Sequence, residues 1–142
     1  MPRITAPFTI TAWEPAPVGA TPWADAPDRP ALGRVTLRKT YSGALDGTAV
    51  AEMLTCVADP ADLALGAVYT AVERFAGRLD GREGSFAFQH GAVSGGDAPS
   101  DPAGAVAPGS GTGALAGLRG TVAIEQGPGG HSLTLDYILD TP

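Results

Sequence analysis

The sequence predicts an all-β fold, an eight-stranded antiparallel up-and-down β-barrel with one short helical turn, in a single domain over residues 1–142. Short apolar runs alternate with polar residues, as on half-buried strands. The 20 glycines and 13 prolines supply the turns that such strands need. A phrase recurs as YSGALDG (41–47), FAGRLDG (75–81) and, more weakly, GTGALAG (111–117). Repeated hairpin phrases are typical of closed barrels and sandwiches.

Eight segments carry the strand pattern, and turn-forming residues separate them. A Pro-rich loop over 15–32 and a flexible loop over 93–104 interrupt the pattern, because proline cannot serve the interior of a sheet. A short helical piece is expected within 58–66 and a helical turn within 113–117. The strands are predicted at 6–13, 34–43 and 48–57, in two segments of 72–91, and at 105–108, 119–126 and 131–139.

Composition narrows the choice of partners and location. The net charge of −6 makes nucleic acid an unfavourable partner, because an acidic surface repels phosphates. The sequence contains neither an 18-residue apolar run nor a signal peptide, so we expect a soluble, cytoplasmic protein without a membrane span. Cys56 is the single cysteine, and its strand context indicates a small core residue.

Two-residue Asp-Gly turns would fix the register of the hairpins. A turn at Asp46-Gly47 places Tyr41 opposite Glu52 and Lys39 opposite Leu54. A turn at Asp80-Gly81 and another at Pro128-Gly129 fix the remaining pairs. These are Phe75 with Phe86, Glu73 with Phe88, Ala71 with His90, Ile124 with Leu133, and Val122 with Leu135.

The apolar face defined by this register is expected to line the interior. The apolar residues on it are Val35, Leu37, Tyr41, Val50, Leu54, Cys56, Tyr69, Phe75, Phe86, Phe88, Val122, Ile124, Leu133, Leu135 and Tyr137. The same alternation places four polar residues inside: Lys39, Glu52, Glu73 and His90. An unpaired buried charge costs several kcal/mol, so these groups must pair with one another, contact water or bind a ligand.

The four interior polar residues admit two interpretations. Two carboxylates and a histidine in a partly dry barrel are suited to acid–base work, with Glu73, Glu52 or His90 as the catalytic candidate. The alternative is a structural network of internal salt bridges. A single β-bulge would move one of these residues to the outside.

The other motifs are weaker indications of a functional site. Asp46 and Asp80 are better explained as turn residues than as a protease pair. The segment GSGTGALAG lacks the lysine of a phosphate-binding loop, and His131 is expected to be exposed. His90, Glu52 and Glu73 form a one-His, two-carboxylate set, but no ligand spacing supports a metal site. We therefore expect neither a metal nor a cofactor.

Several longer blocks carry a family resemblance: FTITAW, KTYSGALDG, ERFAGRLDGREGSFAFQH, PGSGTGALAGLRG and YILD. With them the chain resembles a bacterial family of unknown function (domain of unknown function 3224) that is assigned to the allene oxide cyclase-like barrel. The resemblance implies an eight-stranded barrel and transfers no catalytic residue. Plant allene oxide cyclases and dirigent proteins share that barrel and steer reactive apolar intermediates, which is an analogy of fold alone.

The predicted function is the binding of a small, largely apolar molecule inside the barrel. Eight strands leave an interior that is either filled or able to hold one small ligand. Two alternatives stand beside this prediction. One is a cyclase- or isomerase-like enzyme with Glu73 or Glu52 as proton shuttle, and the other is a packed module that self-associates, for example as a homodimer. The predicted ligand-binding residues are Lys39, Tyr41, Glu52, Tyr69, Glu73 and His90.

Overall fold

The computed structural model describes residues 2–25, 30–97 and 99–140. It is a closed antiparallel barrel in which each strand pairs with the next and β8 returns to β1. The predicted fold is therefore confirmed. Three 3-10 turns, at Pro22–Asp25, Leu63–Leu65 and Gly113–Leu115, supply the helical structure of the described residues. The strands are β1 (Arg3–Ala16), β2 (Ala31–Tyr41), β3 (Leu45–Val57), β4 (Ala67–Leu79), β5 (Arg82–Ser94), β6 (Ser100–Val106), β7 (Arg119–Gly127) and β8 (Gly130–Ile138).

The strands extend further into the two predicted loops than the prolines suggest. β1 continues to Ala16 and β2 begins at Ala31, so both ends of the Pro-rich stretch are strand; residues 26–29 lie outside the described part. β6 begins at Ser100 and includes Pro102. The β5–β6 register shifts beside that proline, and the β6–β7 pairs begin only at Ala103, so the missing N–H breaks no ladder. Within the part of the chain that the structure describes, no helix is long and apolar enough to cross a membrane.

The two ends of the barrel differ. At one end, the connection between β6 and β7 places Leu115 and Leu118 in the interior, where both are fully buried. They pack with Phe75, Phe86, Phe88 and other apolar side chains into one core that closes this end. A smaller cluster around Leu37 and Met53 lies towards the other end. We call that other end the mouth.

The barrel wall is joined unevenly around its circumference. β1 pairs with β8 from Arg3 to Phe8, whereas β1 pairs with β2 as far as Ala16. β6 and β7 pair only over Ala103–Ala105. Among the described residues, β8 is therefore joined to β1 almost to its first residue, whereas Ile124–Gly127 of β7 pair with β8 alone.

Two of the three predicted hairpin registers are confirmed. Asp80 and Gly81 have positive φ angles of 49° and 82°, as a two-residue turn requires, and Ala71 lies opposite His90. The β7–β8 pairs also agree with the prediction, with Ile124 opposite Leu133.

The predicted β2–β3 register is wrong. The chain reverses at Gly43, whose φ is 87°, so Tyr41 lies opposite Gly47 and Lys39 opposite Ala49. The observed register differs from the predicted one by an odd number of residues, so the face of β3 that was predicted to point inwards points outwards. Glu52, Val50 and Leu54 are therefore exposed, and Cys56 shares their face and is half-buried.

The repeated phrase is used in two different ways, which explains this error. The second copy of LDG ends β4 at Leu79 and forms the turn at Asp80-Gly81, whereas the first copy, Leu45–Gly47, begins β3. Gly47 lies opposite Gly77, and a Cβ on Gly77 would come within 2.7 Å of the Gly47 Cα. These two glycines allow a close approach of β3 and β4, a requirement that a turn signal does not reveal.

Candidate functional site

Glu73 is the centre of a buried polar cluster and is fully buried itself. Its Oε1 accepts hydrogen bonds from Lys39 Nζ at 2.8 Å and lies 2.9 Å from His90 Nε2. Its Oε2 accepts from the Tyr41 hydroxyl at 2.6 Å. Lys39 and His90 are each 4% exposed. The predicted interior positions of Lys39, Glu73 and His90 are thus confirmed.

Small residues on β3 allow this cluster to form. Lys39 on β2 and Glu73 on β4 are separated by β3, where their neighbours are Ala49 and Ala51. Both alanines are buried and leave space above β3 for the long side chains to meet. His90 lies diagonal to Glu73 across the β4–β5 ladder, where it is opposite Ala71.

His90 links the carboxylate to a second tyrosine. Its Nδ1 lies 2.9 Å from the Tyr69 hydroxyl, and the two rings meet edge to face. An ionised Glu73 accepts the hydrogen of His90 Nε2, and in the tautomer that carries a hydrogen on Nε2 alone the Tyr69 hydroxyl donates to Nδ1. The result is a continuous chain from Tyr69 through His90 to Glu73. Within the described residues, no buried side-chain nitrogen or oxygen lacks a hydrogen-bond partner.

The cluster sets the protonation state of its members. Burial by itself raises the pKa of the Glu73 carboxyl, but the His90 hydrogen bond, the Lys39 charge and the Tyr41 hydroxyl outweigh burial, so this pKa lies below its usual value. Burial and the Glu73 charge raise the pKa of Tyr69 to about 12. The same causes raise the pKa of Tyr41. Glu73 is therefore an anion at neutral pH, and both tyrosines keep their protons.

A cavity of about 720 Å³ opens from this cluster to the mouth. Lys39, Tyr69 and His90 form its polar floor, whereas Glu73 and Tyr41 lie beneath the floor. The predicted role of Tyr41 as a cavity wall is therefore wrong: its hydroxyl is turned to Glu73, and its ring packs between Phe8 and Phe75. The walls are mostly apolar, and their apolar residues are Phe8, Ile10, Trp13, Leu37, Met53, Pro102 and Ile124. The polar wall residues are Thr55, Asp101, Glu125, Gln126 and His131.

Sequence reasoning missed two aromatic residues of this cavity. Trp13 lines the mouth although it is 55% exposed, because a register shift between Ile10 and Ala12 places it opposite Leu37. His131 was expected to be exposed, but it is half-buried and stacks on Phe8, with ring centroids 5.3 Å apart. Phe8 lies opposite His131 only because β8 closes the barrel onto β1, and no hairpin signal predicts that pairing.

The predicted position of Glu52 inside the barrel is wrong. Glu52 lies on the outer face of β3, where it accepts hydrogen bonds from Thr36 and from Arg34, the latter at 3.1 Å. These two hydrogen bonds lower the pKa of its carboxyl. Glu52 thus lies outside the cavity, and the one-His, two-carboxylate set with Glu73 and His90 is not assembled. The described residues contain no group of three His, Cys, Asp or Glu side chains that could hold a metal ion.

Comparison with known proteins agrees with this architecture. A family model described as "Protein of unknown function (DUF3224)" matches residues 4–137. A crystal structure of a protein of unknown function from the same family, from Shewanella oneidensis MR-1, is similar over 100% of this chain and 99% of that one. Its sequence identity is 31% and its TM-score is 0.83. No protein with a curated description matches the chain.

Proposed function

The chain belongs to the DUF3224 family of proteins of unknown function, and we propose that its barrel binds one small, largely apolar molecule in the mouth cavity. One observation carries the proposal: a cavity of about 720 Å³ has mostly apolar walls and a floor formed by Lys39, Tyr69 and His90. Known small-molecule sites are concave and mostly apolar, with a few convergent polar groups, and span roughly 300–1,000 Å³.

The floor indicates how the ligand is oriented. The Lys39 ammonium carries three N–H donors, and one of them is used by Glu73. Its nitrogen lies 4.5 Å from the centre of the Phe8 ring, so the ammonium faces both that ring and the cavity. A ligand oxygen can therefore bind at Lys39, with its apolar body against Leu37 and Met53. Glu73 acts as a positioning residue that holds Lys39 and His90.

Native mass spectrometry of the protein purified from its source tests this proposal. We expect an adduct of constant mass on the wild-type barrel. A Met53→Trp variant fills the cavity from its wall and should lose the adduct. Leu54→Trp is the matched control, because Leu54 is the next residue and is 45% exposed on the outer face. Loss of the adduct from both variants, or from neither, would contradict the proposal.

An acid–base enzyme is the second candidate, and the Tyr69–His90–Glu73 chain favours it. A histidine held between a carboxylate and a hydroxyl at a cavity floor is an arrangement suited to proton transfer. A suitable test is deuterium exchange at the α-carbon of 2-decanone in D₂O. Catalysis predicts that Tyr69→Phe keeps binding but loses exchange, whereas Glu52→Gln, on the outer face, changes neither. Absence of exchange in the wild type would exclude this reaction.

Self-association is the third candidate. The sequence-based hypothesis combines self-association with a fully packed interior, and the cavity argues against the packed interior. The outer faces of β3 and β4 expose Val50, Leu54, Val68 and Val72, a surface that a second copy would cover. A monomer in size-exclusion chromatography would rule this candidate out. The likeness to allene oxide cyclases, the bacterial origin and the cytoplasmic location remain part of the proposal.

A further inference from the structure

We infer that the ligand is an apolar organic acid whose carboxylate binds at Lys39, and that His90 takes up one proton when it binds. The inference rests on the proposed function, because it names the ligand class for the same cavity. Two independent observations carry it: the donors that Lys39 has left over, and the balance of charge at the cavity floor.

The first observation is that Lys39 has N–H donors without an acceptor in the described part of the protein. Lys39 is 4% exposed, lines the cavity and has one hydrogen-bonding acceptor in the protein, Glu73, among the described residues. A buried ammonium with unused N–H groups favours an acceptor with several lone pairs, and a carboxylate offers about four. Hydrogen bonds between ionised partners are also about twice as strong as neutral ones.

The second observation is the balance of charge at the cavity floor, which the binding of a ligand carboxylate would change. Lys39 and Glu73 neutralise each other at 2.8 Å, so the floor carries no net charge when His90 is neutral. A ligand carboxylate would then add an uncompensated negative charge to a mostly apolar cavity. The other carboxyl residues in the cavity lining, Asp101 and Glu125, are negative as well. A compensating positive charge must therefore come from a proton.

His90 is placed to receive that proton. The groups around it are Tyr69 and Glu73 on β4, Lys39 on β2 and Phe88 on its own strand, with Asp101, Glu125 and His131 further out in the lining. Before binding, His90 Nε2–H donates to Glu73 and Nδ1 accepts from the Tyr69 hydroxyl. After one solvent proton joins Nδ1, that nitrogen donates to the Tyr69 oxygen. The Tyr69 hydroxyl then donates its hydrogen bond to the ligand carboxylate instead of to His90. Tyr69 keeps its proton and remains neutral throughout.

Isothermal titration calorimetry measures this proton directly. Decanoate is the probe and decan-1-ol its uncharged counterpart, each titrated at pH 7.5 in phosphate and in Tris buffer, which differ in ionisation enthalpy. We expect decanoate to bind with uptake of about one proton per barrel and decan-1-ol with uptake of about none. Decanoate binding without proton uptake overturns the inference, as does binding of the alcohol alone. Either result leaves the proposed function standing, whereas failure of both probes to bind contradicts it.

Variants identify the group that takes up the proton. His90→Gln should abolish the uptake and weaken decanoate binding by about tenfold or more, because the positive charge that compensates the ligand carboxylate is lost. His131→Gln, at the other histidine, should leave the uptake unchanged. Proton uptake that persists in His90→Gln overturns the inference, since the ligand itself would then carry the proton.

A spectroscopic measurement covers the case in which His90→Gln does not fold. The chain has two histidines, so the His131→Gln variant leaves His90 as the only histidine. In ¹⁵N-labelled protein, saturating decanoate should shift both His90 ring nitrogens to imidazolium values, whereas decan-1-ol should not. Ring nitrogens that stay at neutral values with decanoate bound overturn the inference.

Discussion

The Lys39 ammonium and the Glu73 carboxylate meet at 2.8 Å although β2 and β4 are not neighbouring strands. The side chains cross above Ala49 and Ala51 of β3, and both partners are buried. The ion pair therefore joins β2 and β4 over β3 across the inside of the barrel. It also places one charge on the cavity floor and the other beneath it, which makes Glu73 a support for Lys39 rather than a ligand contact.

Replacing Glu73 by Gln should destabilise the barrel by about 3–5 kcal/mol, because Lys39 then stays buried without a counter-charge. The Lys39→Met/Glu73→Gln double variant should recover most of this loss, since it buries no unpaired charge. Urea unfolding of the wild type, both single variants and the double variant gives the coupling energy. Additive effects of the two substitutions would show that the pair is not coupled.

The stability that Glu73 contributes should depend on pH in a defined direction. Its folded-state pKa is lowered from the ordinary value of 4.5, so the ionised form favours the folded protein. This contribution is fully present above about pH 4.5 and is lost as the pH falls through the lower folded-state value. The difference in free energy of unfolding between the wild type and Glu73→Gln, measured by urea from pH 7 to 3, should therefore shrink on acidification. A difference that stays constant would contradict the assigned direction.

Ala51→Leu should separate Lys39 from Glu73 by filling the space above β3. Overpacking of this kind costs about 1–3 kcal/mol. The matched control is Val50→Leu, because Val50 is adjacent and 37% exposed on the outer face, where changes stay within about 0.5 kcal/mol. Thermal unfolding compares the two. Equal effects at both positions would mean that the interior above β3 has room to spare.

Gly77→Ala should be strongly destabilising, because its Cβ would lie within 2.7 Å of the Gly47 Cα and 2.2 Å of the Asp46 carbonyl oxygen. These are backbone atoms, so β3 and β4 would have to separate. Gly127→Ala is the control, since nothing lies within 4 Å of a Cβ there. Replacing this strand glycine should be neutral or stabilise by up to about 1 kcal/mol. Denaturant midpoints of the two variants test the close approach of β3 and β4.

Ligand binding should be visible in the fluorescence of Trp13. The chain has two tryptophans, and Trp13 lines the mouth. In a Trp23→Phe variant, decanoate should shift the Trp13 emission to shorter wavelength and protect it from acrylamide quenching, because the ligand displaces water from the indole. In Trp13→Phe, where Trp23 remains, the spectrum should stay unchanged. A response from Trp23 alone would place the ligand outside the cavity.

The fold was predictable because its signals are local. Alternation and turn residues define each strand, and Asp80-Gly81 fixes its hairpin without reference to the rest of the chain. The error at Asp46-Gly47 shows the limit of such signals. Two glycine-containing turns compete there, at Gly43 and at Gly47, and the one that lets Gly47 approach Gly77 is formed. That choice depends on a neighbouring strand, which no window around the turn includes.

The candidate site was predictable to the same extent. Lys39, Glu73 and His90 follow from alternation within their own strands, which requires no knowledge of β3. The predicted position of Glu52 depended on which of the two competing turns forms, and it was therefore wrong. Trp13 and His131 depended on a bulge and on the closure of β1 onto β8, two features that arise only when the whole barrel forms.

The uneven joining of the barrel wall has a consequence for the kinetics of exchange with solvent. β8 is paired with β1 as far as His131, whereas β6 and β7 share only the pairs over Ala103–Ala105. The mouth-side part of β7, Ile124–Gly127, can thus move away from β6 without the loss of any β6–β7 pair. Opening of this kind is a sub-global fluctuation, whose free energy lies far below that of complete unfolding. A molecule bound in the cavity, as the proposed function requires, would therefore exchange with solvent many times within the lifetime of one folded protein molecule.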